Sequence, residues 1–316
     1  MPVSNAIEHD RFIEIPGNPV PEGAELVWFS GASGRKLRAC FIPAPAASPR
    51  GSVIVCPGRT EFIEKYFEVA RDLLSRGFAV LILDWPGQGL SDRLLEDREK
   101  GHIDNFQTFM GALARGLAEK QDRLPRPHVS LAHSMGGAIA LAALSEGLVE
   151  VDAAAFCAPM WGLKARFFGI RYLVWAMRVM GRSGDYARQP GPPERFETNI
   201  VTHDPRRWRI QRDLVDAAPE LAIGPVTWGW LGASLDIVRT FSRASRLEAL
   251  DIPVLVATAE EEQLVDNDSH SRICARLTDC EHLLVSGARH EILMETDDRR
   301  DVFWDAFDRL LQRADI

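Results

Sequence analysis

A serine at the junction of a strand-like and a helix-like stretch is the first candidate for chemistry in this chain. The stretch is VSLAHSMGGAIALAAL, residues 129–144, in which Ser134 precedes Met135 and two glycines. A serine that ends a buried strand and begins a helix stands on a sharp turn, where only small neighbours fit beside it. The pattern for such a turn is Gly-x-Ser-x-Gly, and here Ala132 takes the first glycine position and Gly136 the last. The spacing indicates a nucleophilic serine, although so short a match also fits a tight turn without a chemical role.

A serine hydroxyl is a weak nucleophile unless a base takes its proton and an acid orients that base. At a strand–turn–helix site of this kind, the acid follows a late strand and the histidine follows the last one. His290 lies in GARHEI directly after the strand-like EHLLVS, and Glu262 lies just after the strand-like IPVLVATA. We predict that His290 is the base and Glu262 the acid, with Asp266 as the alternative acid. His133 adjoins the serine, but adjacent side chains on a turn point apart, so we expect it to be structural.

Two backbone N–H groups are expected to stabilise the oxyanion that forms when the serine attacks a carbonyl. The first is that of Met135, at the start of a helix whose dipole favours negative charge there. The second is that of Arg59, in the loop CPGRT after the strand-like GSVIVC. Gly58 in that loop would let a substrate approach the backbone closely. On local sequence alone, a Pro-Gly turn without function fits this loop equally well.

Alternating elements along the chain must position these residues. Short apolar runs occur at 51–56, 78–84, 127–132, 151–158, 252–259 and 281–286, after a hairpin-like segment at 25–42. Such uninterrupted runs suit strands buried on both faces of a parallel sheet. Helix-like stretches lie at about 60–77, 105–121, 135–146, 268–278 and 298–312. The alternation predicts an α/β fold with helices on both faces of a mostly parallel sheet.

One long stretch interrupts this alternation. Residues 159–245 contain no clear core strand and hold five of the eight tryptophans: Trp161, Trp175, Trp208, Trp228 and Trp230. A segment of this length is too long for an ordinary connection, so we predict a helical cap inserted into a core formed by 1–158 and 246–316. We expect Trp161, Phe167 and Phe168 of the cap to contact the substrate, together with Gly58.

The first part of the insertion reverses the charge of the chain. The segment 161–182 has no acidic residue and carries Lys164, Arg166, Arg171, Arg178 and Arg182 among many large apolar side chains. A basic, aromatic, amphipathic cap suits peripheral contact with an anionic membrane or a lipid that bears phosphate. A cap helix whose apolar face covers an acyl pocket and whose arginines are solvated fits the segment as well.

The composition excludes several classes of function. The chain has 316 residues, a formal net charge of -8, and 46% hydrophobic and 26% charged residues, so a general nucleic-acid partner is not expected. No apolar run approaches the roughly 20 residues that span a bilayer, and we see no secretory signal. The five scattered cysteines predict reduced thiols in a cytoplasmic protein, with no metal site. Phosphate-loop and zinc-peptidase motifs are missing, so we expect no cofactor.

Four segments together resemble the monoacylglycerol lipase/lysophospholipase group of α/β-hydrolases, in particular its lysophospholipase L2-like branch. They are CPGRTEFIEKYFEVARDLLSRGFAVLILDWPGQGLSD, GHIDNFQTFM, LAHSMGG, and the pair VDN and GARHEILME. The resemblance implies an α/β-hydrolase fold and hydrolysis of a carboxylic ester through an acyl-enzyme. The chain departs from the group at Ala132, at Pro57, where many relatives have histidine, and at Glu262, where aspartate is commoner. The last departure leaves the acid open between Glu262 and Asp266.

The expected substrate is a single-chain lipid ester, either a lysophospholipid or a monoacylglycerol. The alternatives are a general short-chain carboxylesterase and a peptidase similar to proline iminopeptidase, which would need an anionic recess for a substrate amino group. A third alternative is a binding module with an idle site.

Overall fold

One mostly parallel sheet forms the centre of the computed structural model, which describes residues 9–31, 34–45, 48–164, 169–191, 194–241 and 246–316. Its strands in those ranges are β1 (Glu25–Ser30), β2 (Lys36–Ile42), β3 (Gly51–Cys56), β4 (Phe78–Leu83), β5 (His128–His133), β6 (Ala153–Cys157), β7 (Pro253–Ala259) and β8 (Asp279–Val285). Their order is β1-β2-β4-β3-β5-β6-β7-β8, and only the pairings of β1 with β2 and β2 with β4 are antiparallel. The carboxyl ends of β3 to β8 therefore meet at one edge of the sheet.

Helices cover both faces of this sheet. The described residues form α1 (Phe67–Ser75), α2 (Gln107–Glu119), α3 (Met135–Ser145), α4 (Ile170–Val179), α5 (Pro205–Ala217), α6 (Trp228–Phe241), α7 (Asn267–Cys274) and α8 (Asp297–Arg313). The apolar residues of α2 and α3 pack on one face, and those of α1 and α8 on the other. The predicted α/β class, with helices on both faces of a mostly parallel sheet, is confirmed.

The predicted strands and helices are present, and one of them has a different environment. The run EHLLVS was expected to be buried on both faces, but β8 is the last strand of the sheet, and Leu284 is 52% exposed. An edge strand has no neighbour on its outer side, so its side chains there meet solvent. The helix expected at 60–77 begins as a 3₁₀ turn at Ile63–Tyr66 and continues as α1.

The stretch between β6 and β7 is helical, with α4, α5 and α6 in sequence. Helix α4 packs against α6. An isolated bridge between Leu163 and Val265 links the stretch to the loop after β7, and a second bridge, between Tyr186 and Thr227, links two parts of the stretch. The division of the chain into a core and a cap at 159–245 stays a prediction.

The cysteines differ from expectation. Cys274 at the end of α7 and Cys280 in β8 form a disulfide, with a Cα–Cα distance of 5.5 Å. The prediction of five reduced thiols is wrong for this pair, because the short turn from α7 into β8 brings two residues six positions apart to bonding distance. Cys40, Cys56 and Cys157 are free and buried.

Candidate active site

Ser134 stands on a sharp turn between β5 and α3. Its backbone has φ of 50° and ψ of -117°, in a region that non-glycine residues rarely adopt. The turn brings α3 against the loop after β3, and a Cβ atom on Gly136 would lie 2.0 Å from the carbonyl oxygen of Cys56. A Cβ atom on Gly137 would lie 2.6 Å from Cβ of Pro159. The small residues after the serine are therefore required by the close approach of the backbone.

The side chains of Ser134, His290 and Glu262 form one hydrogen-bonded series. The Ser134 Oγ lies 2.9 Å from Nε2 of His290, and Nδ1 of His290 lies 2.6 Å from the Glu262 carboxylate. With Nδ1 donating to the carboxylate, Nε2 is left to accept the serine proton. The structure thus brings together the three residues that the chain order singled out.

Glu262 is held as an anion. Its second carboxylate oxygen accepts hydrogen bonds from the backbone N–H groups of Leu264, at 2.6 Å, and Val265, at 3.2 Å. Burial raises the pKa of Glu262, but the hydrogen bond and charge of His290 and these two N–H groups outweigh it and lower the pKa to about 2. An ionised carboxylate at this position stabilises the imidazolium that forms when His290 takes a proton.

Asp266, the alternative acid, is engaged elsewhere. It is the N-cap residue of α7 and accepts from the N–H of Asp268 at 3.2 Å. Its other oxygen pairs with Arg272 at 2.9 Å. The start of α7 directs this carboxylate to the helix end rather than to His290.

The two backbone groups expected at an oxyanion are both free of protein acceptors in the described part of the chain. Met135 is the first residue of α3, so no carbonyl upstream in its own helix can accept its N–H. The N–H of Arg59 also donates to no described acceptor. Both residues line the cavity beside Ser134.

Side chains fix the loop that carries Arg59 on both sides. Gly58 donates its N–H to the carboxylate of Glu61, and a Cβ atom on Gly58 would lie 2.7 Å from that carboxylate. Trp85 donates from Nε1 to the carbonyl oxygen of Pro57 at 2.8 Å, and Thr60 donates its N–H to Gln88 at 2.6 Å. Gly58 thus accommodates the Glu61 side chain inside the loop, which explains the glycine without a direct substrate contact.

A cavity of about 300 Å³ opens beside Ser134. Most of its wall is apolar, formed by Met135, Met160, Leu163, Val201, Val226, Trp230, Leu264 and Val265. Five of these come from residues 159–245, and none of the five was predicted from the sequence to contact the substrate. The only signal for them was the abundance of tryptophan and other large apolar residues in the insertion.

Of the three aromatic residues predicted to contact the substrate, the structure describes Trp161. Trp161 is fully buried, donates from Nε1 to the carbonyl oxygen of Gly137 at 3.1 Å, and packs against Phe156. Trp161 is absent from the cavity wall. Its ring packs in the core beside Gly137, where the lack of a side chain leaves room for it. In this structure Trp161 occupies a core position, and its expected contact with the substrate stays a prediction. Phe167 and Phe168 lie outside the described residues.

A buried ionic cluster, which the sequence analysis did not anticipate, borders the cavity. Lys65 donates to Glu61 at 2.8 Å, to Glu291 at 2.7 Å and to Gln211 at 2.9 Å. Burial raises the pKa of Glu61, but the charge of Lys65 and the hydrogen bonds from Lys65 and Tyr66 outweigh it and lower the pKa to about 2. Both carboxylates line the cavity, and both are already bound to the same ammonium group.

His133 is neutral and structural. Burial lowers its pKa to about 4, and its Nδ1 lies 3.1 Å from the carbonyl oxygen of Cys157. Its ring packs 4.9 Å from the ring of His290. His133 therefore supports the ring of His290 by packing. Within the described residues, its side chain forms no hydrogen bond with Ser134.

The insertion holds the loops of the acid and the base. Lys164 donates from Nζ to the backbone carbonyl of Glu262, and Leu163 bridges to Val265. The N–H of Glu291 donates to the carbonyl oxygen of Val201 at 2.8 Å. Lys164, one of the cations of the basic segment, therefore fixes the loop that carries the acid.

Comparisons with known proteins identify the family and the fold of this chain. The family model described as serine aminopeptidase, S33, matches residues 47–297. The lysophospholipase L2 of Escherichia coli (strain K12) is 36% identical over 79% of this chain and 77% of its own length. A monoacylglycerol lipase of Mycolicibacterium smegmatis is 26% identical over 86% of this chain and 91% of its own length. A monoglyceride lipase from Saccharomyces cerevisiae, solved with a substrate analog, superposes with a TM-score of 0.74 and 18% identity over 96% of this chain and 99% of that one.

Proposed function

The chain belongs to the serine aminopeptidase S33 family of hydrolases, and from this premise we propose that it hydrolyses carboxylic esters of single-chain lipids, lysophospholipids or monoacylglycerols. The substrate is a small molecule, and the reaction passes through an acyl-enzyme.

The observation that carries the proposal is the hydrogen-bonded series of Ser134, His290 and Glu262 at an apolar cavity. His290 takes the proton of Ser134 as the oxygen attacks the ester carbonyl, and then gives it to the leaving alcohol. Water activated by the same histidine releases the fatty acid. Glu262 stays ionised throughout and orients the ring.

The oxyanion is assigned to the N–H groups of Met135 and Arg59. Both groups belong to rigid backbone, one at a helix start and one in a loop fixed on both sides. Donors held in place before the reaction need no reorganisation when charge develops on the carbonyl oxygen.

The acyl chain is assigned to the apolar part of the cavity. Met160, Leu163, Val226 and Trp230 supply its wall, and all four lie in the segment 159–245, which we assign as a cap. A largely apolar cavity with a few convergent polar groups is the usual form of a small-molecule site, and this one favours a substrate with a hydrocarbon chain.

A peptidase would need an uncompensated carboxylate for a substrate amino group. Glu61 and Glu291 are the carboxylates on the cavity wall among the described residues, and Lys65 already binds both of them. The arrangement therefore favours an ester substrate over a peptide with a free amino terminus.

Helix α4 is assigned to peripheral membrane contact. Its outer side is apolar: Tyr172 is 79% exposed, Trp175 65%, Val179 67% and Met180, just after the helix, 59%. Val174 and Met177 on its inner side are buried. Aromatic side chains at an exposed amphipathic helix suit the interfacial region of a bilayer. Arg178 and Arg182 pair with Asp236 and Asp185, which leaves Arg171 as the other described cation of α4. Apolar burial rather than charge is therefore the main attraction.

A cytoplasmic location with peripheral attachment belongs to the same proposal. Among the described helices, none is long and apolar enough to cross a bilayer. Fractionation of cells would test attachment, because a peripheral protein leaves the membrane in alkaline carbonate and an inserted one does not.

The proposed reaction is tested by comparing purified wild type and Ser134→Ala on lysophosphatidylcholine, monooleoylglycerol and p-nitrophenyl acetate. We expect hydrolysis of at least one of the two lipids by the wild type and none by the variant. Strong activity on the acetate ester with none on either lipid would contradict the lipid assignment.

A further inference from the structure

The side chain of Arg59 lies in the wall of the catalytic cavity without an acidic partner. Its Nη2 donates to the carbonyl oxygen of Gly224 at 2.5 Å, and its guanidinium carbon lies 5.3 Å from the ring centroid of Trp230. Within the described residues no carboxylate lies within salt-bridge distance of it, and its Nε is buried without a partner. The positive charge is therefore left open toward the cavity.

Gly101 makes room for this guanidinium. A Cβ atom at that position would lie 2.5 Å from Nη2 of Arg59. The same position is tied to the insertion by a bridge between Gly101 and Val226, a residue of the cavity wall. The arginine is therefore held at a defined place by the core loop on one side and by α6 on the other.

Burying the Arg59 charge without an anion costs free energy. Other buried cations near this cavity are instead paired with carboxylates. Lys65 binds two carboxylates of the cavity wall, Glu61 and Glu291. The buried Arg207 binds Glu68, Asp204 and Asp297. Burial lowers the pKa of Arg59 to about 10, so the group is still protonated at neutral pH. A cation without its own counter-ion in an apolar wall is satisfied best by an anion that the ligand brings.

The position of Arg59 relates this anion to the reacting ester. Its backbone N–H is the proposed oxyanion donor, so its guanidinium lies one side chain away from the acyl carbonyl. In a lysophospholipid the glycerol unit separates the acyl ester from the phosphate by a similar short span. A second and more polar cavity of about 250 Å³ adjoins the first and shares Thr60, Val201 and Glu291 with it, which leaves space for the remainder of a head group.

We propose that the Arg59 guanidinium binds the phosphate of the substrate head group, and that the enzyme consequently prefers lysophospholipids to monoacylglycerols. This inference rests on the proposed function and narrows it to one of its two substrate classes. Arginine suits the role because its planar fork matches two phosphate oxygens.

The test measures a ratio of specificities with substrates that stay monomeric, so that binding to lipid surfaces does not enter. 1-Octanoyl-glycero-3-phosphoethanolamine and 1-octanoylglycerol are compared below their aggregation concentrations for wild type, Arg59→Gln and Arg59→Lys. We expect the ratio of kcat/KM for the phosphate-bearing substrate to that for the neutral one to fall at least tenfold in Arg59→Gln and less in Arg59→Lys. Arg115→Gln, an exposed position on α2, controls for the loss of one positive charge.

The outcomes separate this inference from the function on which it rests. A ratio in Arg59→Gln within twofold of the wild-type value, with both lipids hydrolysed, overturns the role of Arg59 alone. Wild type that cleaves p-nitrophenyl octanoate and neither octanoyl lipid overturns the proposed function and this inference together. Labelling of Ser134 by a fluorophosphonate checks that each variant is folded.

A second measurement uses wild type alone and keeps the inference testable if Arg59→Gln does not fold. Glycerol 3-phosphate should inhibit hydrolysis of p-nitrophenyl butyrate competitively, and glycerol at the same concentration should not. Equal inhibition by glycerol and glycerol 3-phosphate overturns the phosphate site. Inhibition by inorganic phosphate as strong as that by glycerol 3-phosphate overturns its assignment to a lipid head group.

Discussion

The Glu262 carboxylate lies 2.6 Å from Nδ1 of His290, although the two residues belong to different loops. Glu262 follows β7 and His290 follows β8, and these neighbouring parallel strands are paired up to Ala259 and Val285. Strands paired in parallel deliver the residues after them to the same edge of the sheet. The register of β7 and β8 therefore brings the acid and the base together. Asp266 lies four residues later, as the N-cap residue of α7, and its carboxylate does not reach His290.

The two candidate acids predict opposite results for two variants. Glu262→Gln should lower kcat by about 10³–10⁴-fold, because the ring loses the anion that orients it and stabilises its protonated form. Asp266→Ala should keep kcat within about twofold of wild type and lose roughly 1 kcal/mol of stability, since it removes the N-cap of α7. Steady-state kinetics on p-nitrophenyl butyrate and urea unfolding measure the two effects. A severe loss of kcat in Asp266→Ala together with a mild one in Glu262→Gln would reverse the assignment.

Ser134→Ala should abolish hydrolysis, with kcat reduced by about 10⁴-fold or more, while the protein stays folded. The hydroxyl accounts for one hydrogen bond, to His290, so its loss has little effect on packing. Activity is measured with p-nitrophenyl butyrate, and folding by circular dichroism. Residual activity above one per cent of wild type, in a preparation free of wild-type enzyme, would show that another group is the nucleophile.

The positions that the sequence predicted well are those decided by short-range pattern and chain order. Runs such as GSVIVC are uniformly apolar and rich in β-branched residues, and the structure has β3 at the same residues. Ser134 and His290 could be chosen because each follows a strand whose end lies at the same edge of the sheet. Neither inference needed knowledge of how distant segments pack.

The positions that the sequence missed depend on tertiary packing. Trp161 and Trp230 are both tryptophans of the insertion, yet one fills the core beside Gly137 and the other lines the cavity. No periodicity distinguishes them, because their orientation is set by partners far along the chain. The sequence did not decide between Glu262 and Asp266 as the acid for the same reason. The direction of the Asp266 carboxylate depends on where α7 begins, at Asn267.

Gly136→Ala should be strongly destabilising. The added methyl group would overlap the carbonyl oxygen of Cys56, at 2.0 Å, and the overlapping atom is backbone that cannot rotate away. We expect a loss of at least about 2–3 kcal/mol in the free energy of unfolding or a failure to obtain folded protein. Gly111→Ala in α2 is the matched control, because nothing lies within 4 Å of its Cβ position and alanine favours a helix by about 0.5–1 kcal/mol. Equal stability of the two variants would contradict the tight contact at the serine turn.

His270 should make the protein lose stability as the pH falls. Its Nε2 lies 2.8 Å from the carbonyl oxygen of Pro159 and its Nδ1 2.8 Å from the hydroxyl of Thr258, and burial lowers its pKa from 6.5 to about 4. The unfolded chain therefore binds more protons between these values, so the stabilisation is complete above pH 6.5 and is lost as the pH falls toward 4. We expect His270 to account for up to about 3 kcal/mol of that loss.

Urea unfolding at several pH values between 7 and 4.5 measures this dependence in wild type and His270→Gln. Glutamine can still donate to Pro159 and accept from Thr258, but it does not titrate, so the variant should show a shallower loss of stability. Parallel curves for the two proteins would exclude His270 as a source of the acid sensitivity.

The exposed apolar side of α4 should decide how strongly the protein binds vesicles. Replacing both Tyr172 and Trp175 by serine should weaken co-sedimentation with phosphatidylcholine/phosphatidylglycerol vesicles by about tenfold or more, because two large side chains no longer enter the interface. Leu284→Ser is the matched control, since Leu284 is also half exposed but lies on β8 at the sheet edge, away from α4. Because Arg178 and Arg182 are paired with acids, raising the salt concentration should weaken binding much less than the serine replacements do. Binding that is lost in high salt but kept in the double variant would instead assign the attraction to charge, and the aromatic side of α4 would have no part in it.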